Sequence, residues 1–278
     1  MALKIPVVDR IPTYPGRVQL TPVDEGNHIY DLTRADQPIE EGTQINKLLF
    51  DSKADGVAED ATVYVATTGS DTGGDGTVAA PYATIQKAVD SIPKVLNGNH
   101  VTIDIAEGTY AERVQIDGFS GGRLTLGIAA RAVTVHGISV WSSSFVRINI
   151  SNITYSSSYP GTLLYGGANS EVFVAGGLTL QGGGATTIGI GFEQGSILTT
   201  TGTTITISGT TYAAVHANTG AKVVLYRIAG TANTGSALRA DNGGLLTYDL
   251  RTLEAPTLFL TNSGGKIYRG AQTNAPEY

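Results

Sequence analysis

From about residue 100 the hydrophobic positions fall in runs of three to five, alternating with polar ones and closed by Gly, Ser, Thr or Asn. A period of two is that of half-buried strands, not of helices. A small or turn residue precedes a β-rich run at Gly122, Ser144, Ser170, Gly195, Gly220, Gly243 and Gly264, at intervals of 22, 26, 25, 25, 23 and 21 residues. The runs are RLTL, FVRINI, EVFV, SILT, AKVVLY, GLLTY and GKIYR, with ISV (138–140), ITY (153–155), LTL (178–180) and ITI (205–207) between them. Two or three short strands per repeat of this length predict one coil of a parallel β-helix. An antiparallel sandwich also suits short strands, but it gives no reason for a turn residue at near-constant spacing. The pattern therefore predicts an all-β fold, a parallel β-helix with a capping helix and an extended arm at its N-terminus.

Stacked coils explain which residues are tolerated. Successive rungs lie ~4.8 Å apart, so seven rungs make a column of roughly 35 Å, and equivalent side chains form ladders. Inward ladders take Val, Ile and Leu; outward ones favour Thr, Ser and Asn, because a charge repeated at every rung repels its copies. Corners need positive φ, which Asn242-Gly243 and Ser263-Gly264 can supply. Two residues before the turn marks, Glu193, Asn218, Asp241 and Asn262 recur in consecutive rungs. They are either a line of polar side chains projecting from one corner, or residues chosen for turn geometry and local backbone bonding.

Charge divides the chain unevenly. Residues 1–60 hold 6 Lys+Arg and 11 Asp+Glu together with five prolines, whereas residues 148–221 carry only Glu171 and Glu193. The expected division is 1–60, 61–120 and 121–278: an arm, the capped start of the coil, and its rungs. Pro12, Pro15 and Pro22 exclude a central strand from the arm. Thr43 can cap a helix over about 44–52, with Ile45, Leu48 and Leu49 on one stripe. Such an arm buries too little to fold alone and should order against neighbours; a flexible tail is the alternative. Further on, Thr84 can cap a helix over about 85–92, with Ile85, Ala88, Val89 and Ile92 as its apolar stripe and Pro93 as its stop. Laid across the open end of the coil, it would cover exposed core and strand edges.

Tyr64-Val65, Gly69-Ser70-Asp71, Pro81-Tyr82-x-Thr84-Ile85-Gln86-x-Ala88 and Ile105-Ala-Glu-Gly108-Thr-Tyr110-x-Glu112 together resemble the start of pectin-lyase-like right-handed β-helix proteins, over residues 62–128. That family spans lyases, esterases, glycosidases and viral tailspikes, so the resemblance speaks to fold more than to function. Residues 1–60 resemble the N-terminal segment of tail proteins from phages and prophages of Gram-positive bacteria. The resemblance implies a virion-docking arm, with Pro12, Tyr14, Pro15, Arg17, Arg34, Leu48 and Phe50 as docking candidates.

Candidate chemistry is sparse. Sugar cleavage requires clustered carboxylates, at ~6.5–9.5 Å for inversion or ~5–5.5 Å for retention. The candidates are Glu171, Glu193 and Asp241, and none lies in an Asp-Asp or Asp-x-x-Asp cluster. GSDTGGDG (69–76) has the look of a calcium loop but lacks a later bidentate carboxylate at EF-hand spacing, and no Lys-Ser/Thr makes it a phosphate loop. His28, His100, His136 and His216 lack ligand spacing, and there is no Cys, so no metal or cofactor is expected. Trp141, Tyr155, Tyr159 and Tyr165 could form a sugar-stacking patch, or pack in the core or against a partner. Net charge −6 and no basic cluster along the sequence argue against nucleic acid, and no apolar run suggests a signal peptide or membrane span.

These readings converge on a structural or adhesive virion protein made in the host cytoplasm: a tail fibre, spike or baseplate-associated protein touching the host surface. It is expected to be a homotrimer that meets other tail proteins through residues 1–60 and a host cell-wall or surface glycan through its coil. The alternative is a tailspike polysaccharide depolymerase.

Overall fold

A computed structural model describes residues 18–24, 29–34, 56–129, 131–155, 161–183 and 188–270. The chain divides into two compact units, Met1–Phe50 and Asp51–Tyr278. In the first, β1 (Val18–Asp24) and β2 (Ile29–Arg34) form an antiparallel hairpin, with Val18 opposite Arg34 and Pro22 opposite Tyr30. The expected extended arm is thus folded back on itself over this stretch. Pro22 is accommodated because each strand of a two-stranded sheet has a free edge. Of the docking candidates only Arg34 is described; Pro12, Tyr14, Pro15, Arg17, Leu48, Phe50 and the helix expected over 44–52 lie outside the described residues.

The second unit is a right-handed parallel β-helix. Its strands are β3 (Ala61–Val65), β4 (His100–Ile105), β5 (Gly108–Asp117), β6 (Arg123–Leu126), β7 (Val133–Trp141), β8 (Val146–Ile148), β9 (Asn152–Thr154), β10 (Leu164–Gly167), β11 (Glu171–Val174) and β12 (Leu178–Gln181). They continue with β13 (Ile188–Phe192), β14 (Ile197–Thr200), β15 (Thr204–Ser208), β16 (Ala213–Ala217), β17 (Lys222–Gly230), β18 (Ser236–Ala240), β19 (Leu245–Leu253), β20 (Thr257–Thr261) and β21 (Lys266–Arg269). Parallel pairing sorts them into three faces. Face A stacks β3, β4, β6, β8, β11, β14, the first halves of β17 and β19, and β21. Face B stacks the first parts of β5 and β7, then β9, β12, β15 and the second halves of β17 and β19. Face C stacks the ends of β5 and β7 with β10, β13, β16, β18 and β20.

The core is a set of inward ladders. On face A, Val101, Leu124, Val146, Val172, Leu198, Val223, Leu246 and Ile267 lie in register and are all buried. Each such side chain contributes on the order of 1.5–3 kcal/mol. The corner between faces C and A repeats one turn, in which the amides of Ser170, Ser196, Ala221, Gly244 and Gly265 donate to the carbonyls of Gly167, Glu193, Asn218, Asp241 and Asn262. Its two central residues are left-handed: Gln194-Gly195, Thr219-Gly220, Asn242-Gly243 (φ 49 and 77) and Ser263-Gly264 (φ 48 and 81). These are type I′ turns, and they are why a turn residue recurs at each rung.

At the N-terminal end lies α1 (Ile85–Ser91), capped by Thr84, whose hydroxyl accepts from the Lys87 amide; Ile85, Ala88 and Val89 are buried in the core. The remaining first-turn amides find carboxylates. Glu112 accepts from Ile85 and Gln86 at 2.8 and 2.9 Å, and Asp71 accepts from the amides of Ala83 and Thr84 at 2.8 and 3.0 Å and from the Thr84 hydroxyl at 2.7 Å. The residues that carried the family resemblance therefore hold the cap onto the coil. No helix among the described residues is long and apolar enough to cross a membrane.

Candidate functional site

Outward positions of face C form two columns. One runs Gln115, Ser139, Tyr165, Gly191, His216, Arg239 and Leu260; the next runs Asp117, Trp141, Gly167, Glu193, Asn218, Asp241 and Asn262. The second column contains the polar ladder found in the sequence, extended upward by Gly167, Trp141 and Asp117.

The upper part of these columns is an aromatic platform. Trp141 and Tyr165 have ring centroids 4.6 Å apart at 42°, and Trp141 is 38% exposed. They can lie over the sheet because Gly167 is bare: a Cβ there would come 2.7 Å from the Tyr165 hydroxyl and 2.9 Å from the Trp141 ring. On the inner side, the neighbouring Gly166 vacates the space filled by buried Phe192, where a Cβ would sit 2.2 Å from the ring. The Gly166-Gly167 pair thus admits a ring on each side of one strand. The Tyr165 hydroxyl donates to Glu193 Oε1. Burial, and then the hydrogen bond and charge of Glu193, push the Tyr165 hydroxyl well above its ordinary pKa, so it remains a donor.

Lower on the same face Asp241 gathers three donors. Arg239 Nε lies 2.5 Å and His216 Nε2 3.0 Å from its Oδ2, and Asn262 Nδ2 lies 3.0 Å from its Oδ1. Desolvation raises the Asp241 pKa, but these hydrogen bonds outweigh it and hold the carboxyl below the ordinary range. A carboxylate only accepts, so the proton of neutral His216 sits on Nε2. Burial holds the His216 pKa below its ordinary value despite the pull of Asp241 and Glu193. Tyr212 closes the group, edge-on to His216 at 5.6 Å and under the Arg239 guanidinium at 4.4 Å.

No protein family, curated protein or solved structure was found to match this chain. The site is therefore read from its own geometry.

The structure brings Trp141, Tyr165, Glu193 and Asp241 onto one face and leaves two sequence candidates elsewhere. Glu171 begins β11 on face A, opposite Ile197 and exposed. Tyr155 follows β9 on face B, its amide donates to Gln181, and it is half-buried against the core. The single patch imagined for Trp141, Tyr155 and Tyr165 is thus corrected to Trp141 with Tyr165, because a corner separates Tyr155 from them. Tyr159 lies outside the described residues. Glu193 and Asp241 are two rungs apart, a backbone spacing of about 10 Å at ~4.8 Å per rung. An acid catalyst needs a carboxyl kept protonated, and Asp241 is held ionised.

The putting-together of His216, Arg239 and Tyr212 with Asp241 escaped the sequence, where these residues are scattered over thirty positions. Asp71 and Asp75 of the glycine-rich loop are used locally, by Thr84 and Ala83 and by the Thr77 amide, and no group of three His, Asp or Glu among the described residues could hold a metal. A depression of about 320 Å³ opens at the corner between faces A and B, lined by Arg131, Asn149, Ser151 and Asn152, with Arg131 ion-paired to Asp104.

Proposed function

We propose that the protein is a structural and adhesive component of a phage or phage-like tail, a fibre, spike or baseplate-associated protein whose coil projects while residues 1–60 dock to other tail proteins. Face C is the surface that meets a host cell-wall or surface glycan. The observation that carries this reading is the Trp141–Tyr165 platform: two rings on a glycine-bared strand, with the Glu193 carboxylate one rung away to accept sugar hydroxyls. A flat apolar surface beside a fixed acceptor suits a pyranose ring, which has an apolar C–H face and a polar rim. The resemblances over residues 1–60 and 62–128 support the tail assignment, and a homotrimer would present three platforms and gain by avidity.

Two measurements test the reading. Particles labelled with an antibody to residues 61–278 should show the chain on the tail, and deletion of residues 1–60 should remove the label while the isolated coil keeps its β-type circular dichroism. The protein should bind host cells, and Trp141→Ala should abolish that binding. Shortening of the host polysaccharide by the purified protein, lost in Glu193→Gln and Asp241→Asn, would replace adhesion by depolymerase activity.

A further inference from the structure

The outer side of face A gathers basic groups that are far apart in the sequence. His100 pairs laterally with Arg123, and Thr102, Thr125, Arg147 and Phe173 follow one another in the adjacent column. Arg123 Nη2 lies 2.9 Å from His100 Nδ1, and His100 Nε2 lies 2.7 Å from the Thr125 hydroxyl. Arginine can only donate, so His100 accepts at Nδ1, carries its proton on Nε2 and is neutral. It therefore fixes the Arg123 guanidinium without cancelling its charge. One rung on, the Arg147 guanidinium sits 5.5 Å from the centroid of Phe173, which stacks on Phe145 at 6.4 Å.

Neither guanidinium is neutralised by another described residue. Among the described residues no carboxylate lies within 4.0 Å of Arg123 or Arg147, and the Nε atom of each is buried without a hydrogen-bond partner. Asp60, the acid before β3, spends Oδ1 on the His100 amide at 2.7 Å. Two positive charges on successive rungs, in neighbouring outward columns, repel each other in a chain of net charge −6. Donors held in place, left uncompensated and side by side are what an oxyanion requires, since the planar guanidinium fork matches two oxygens of a phosphate, sulfate or carboxylate.

We propose that Arg123 and Arg147, positioned by His100 and Phe173, form an oxyanion-binding site on face A that takes an anionic group, phosphate-type or carboxylate, of a ligand. The site is on a different face from the aromatic platform and does not depend on the adhesive reading.

The test is NMR titration of the full-length protein with inorganic phosphate, observing the arginine Nε–Hε resonances, which needs no variant. Two arginine resonances should shift saturably at millimolar phosphate or below. Arg123→Gln and Arg147→Gln should each weaken binding at least about tenfold, the loss of one charge-assisted pair. Arg147→Lys should weaken it less, Lys222→Gln should leave it unchanged, and Trp141→Ala should leave it intact even if cell binding is lost. Competition identifies the source of the anion: poly(glycerol phosphate) or polygalacturonate should displace phosphate, the better competitor naming phosphate or carboxylate, and neutral dextran should not. No saturable shift, equal binding by both glutamine variants, or equal displacement by dextran would overturn the proposal.

Discussion

His216 and Asp241 face each other across one rung, Nε2 to Oδ2 at 3.0 Å, with Arg239 on the same carboxylate oxygen at 2.5 Å. The contact ties two neighbouring coils together on the outside of the sheet, while burial of the imidazole, which outweighs the pull of Asp241, sets the sign of the protein's response to acid. Burial depresses the pKa of His216 and of His100 below the ordinary 6.5, so the unfolded chain takes up protons first as pH falls. Stability is full above about 6.5 and is lost as pH falls from there through the folded values, by at most about 1.4 kcal/mol per pH unit for each histidine. Glu112, whose pKa is raised by burial, acts oppositely nearer its ordinary 4.5, since its ionisation disfavours the fold. Melting temperature should therefore drop between pH 7 and pH 5.5, by about 2–4 °C per kcal/mol lost, and His216→Gln should flatten the slope.

The capping carboxylate Asp71 is worth more than its loop suggests. It accepts three hydrogen bonds that hold the strand-to-helix junction before α1. Asp71→Ala should lower the unfolding free energy in urea by about 1.5–3 kcal/mol, whereas Asp75→Ala, on an exposed turn, should stay within about 0.5 kcal/mol.

Adjacent glycines at one corner should respond differently. At Gly243, φ is +77 and a Cβ meets nothing within 4 Å, so Gly243→Ala should cost only backbone strain, about 1–2 kcal/mol. At Gly244 a Cβ would lie 2.2 Å from the Ala217 carbonyl oxygen on the preceding rung, which cannot yield without opening the stack. Gly244→Ala should cost about 3 kcal/mol and melt at the lower temperature.

The period, the corner turns and the capping helix were legible in the sequence because each rests on local chemistry: Asn242-Gly243 as a left-handed pair, Thr84 as an N-cap, Ile85, Ala88 and Val89 as a stripe. Ladder membership of Glu193 and Asp241 was also legible, since it needed only the spacing to the turn. What each ladder residue touches was not. His216 meets Asp241 and Arg123 meets His100 across intervals of 25 and 23 residues, set by a register that drifts from rung to rung. The hairpin of Val18–Arg34 was hidden by Pro22, which marks the absence of a central strand but not the presence of an edge.

If the platform depends on the bareness of one strand, its glycine matters as much as its rings. Gly167→Ala would displace both Trp141 and Tyr165 and should abolish cell binding while far-UV circular dichroism is unchanged. Gly177→Ala, on the face A–B corner with its nearest neighbour at 3.8 Å, should leave binding intact.

Trp141 is the sole tryptophan of the chain, so its fluorescence reports directly on the surface to which glycan contact is assigned. Titration with polysaccharide purified from the envelope of a bacterium to whose cells the protein is found to bind should shift its emission saturably and shield it from acrylamide, and Tyr165→Ala should weaken both effects. Saturable binding of that polysaccharide with emission and quenching unchanged would place the contact elsewhere and contradict the account.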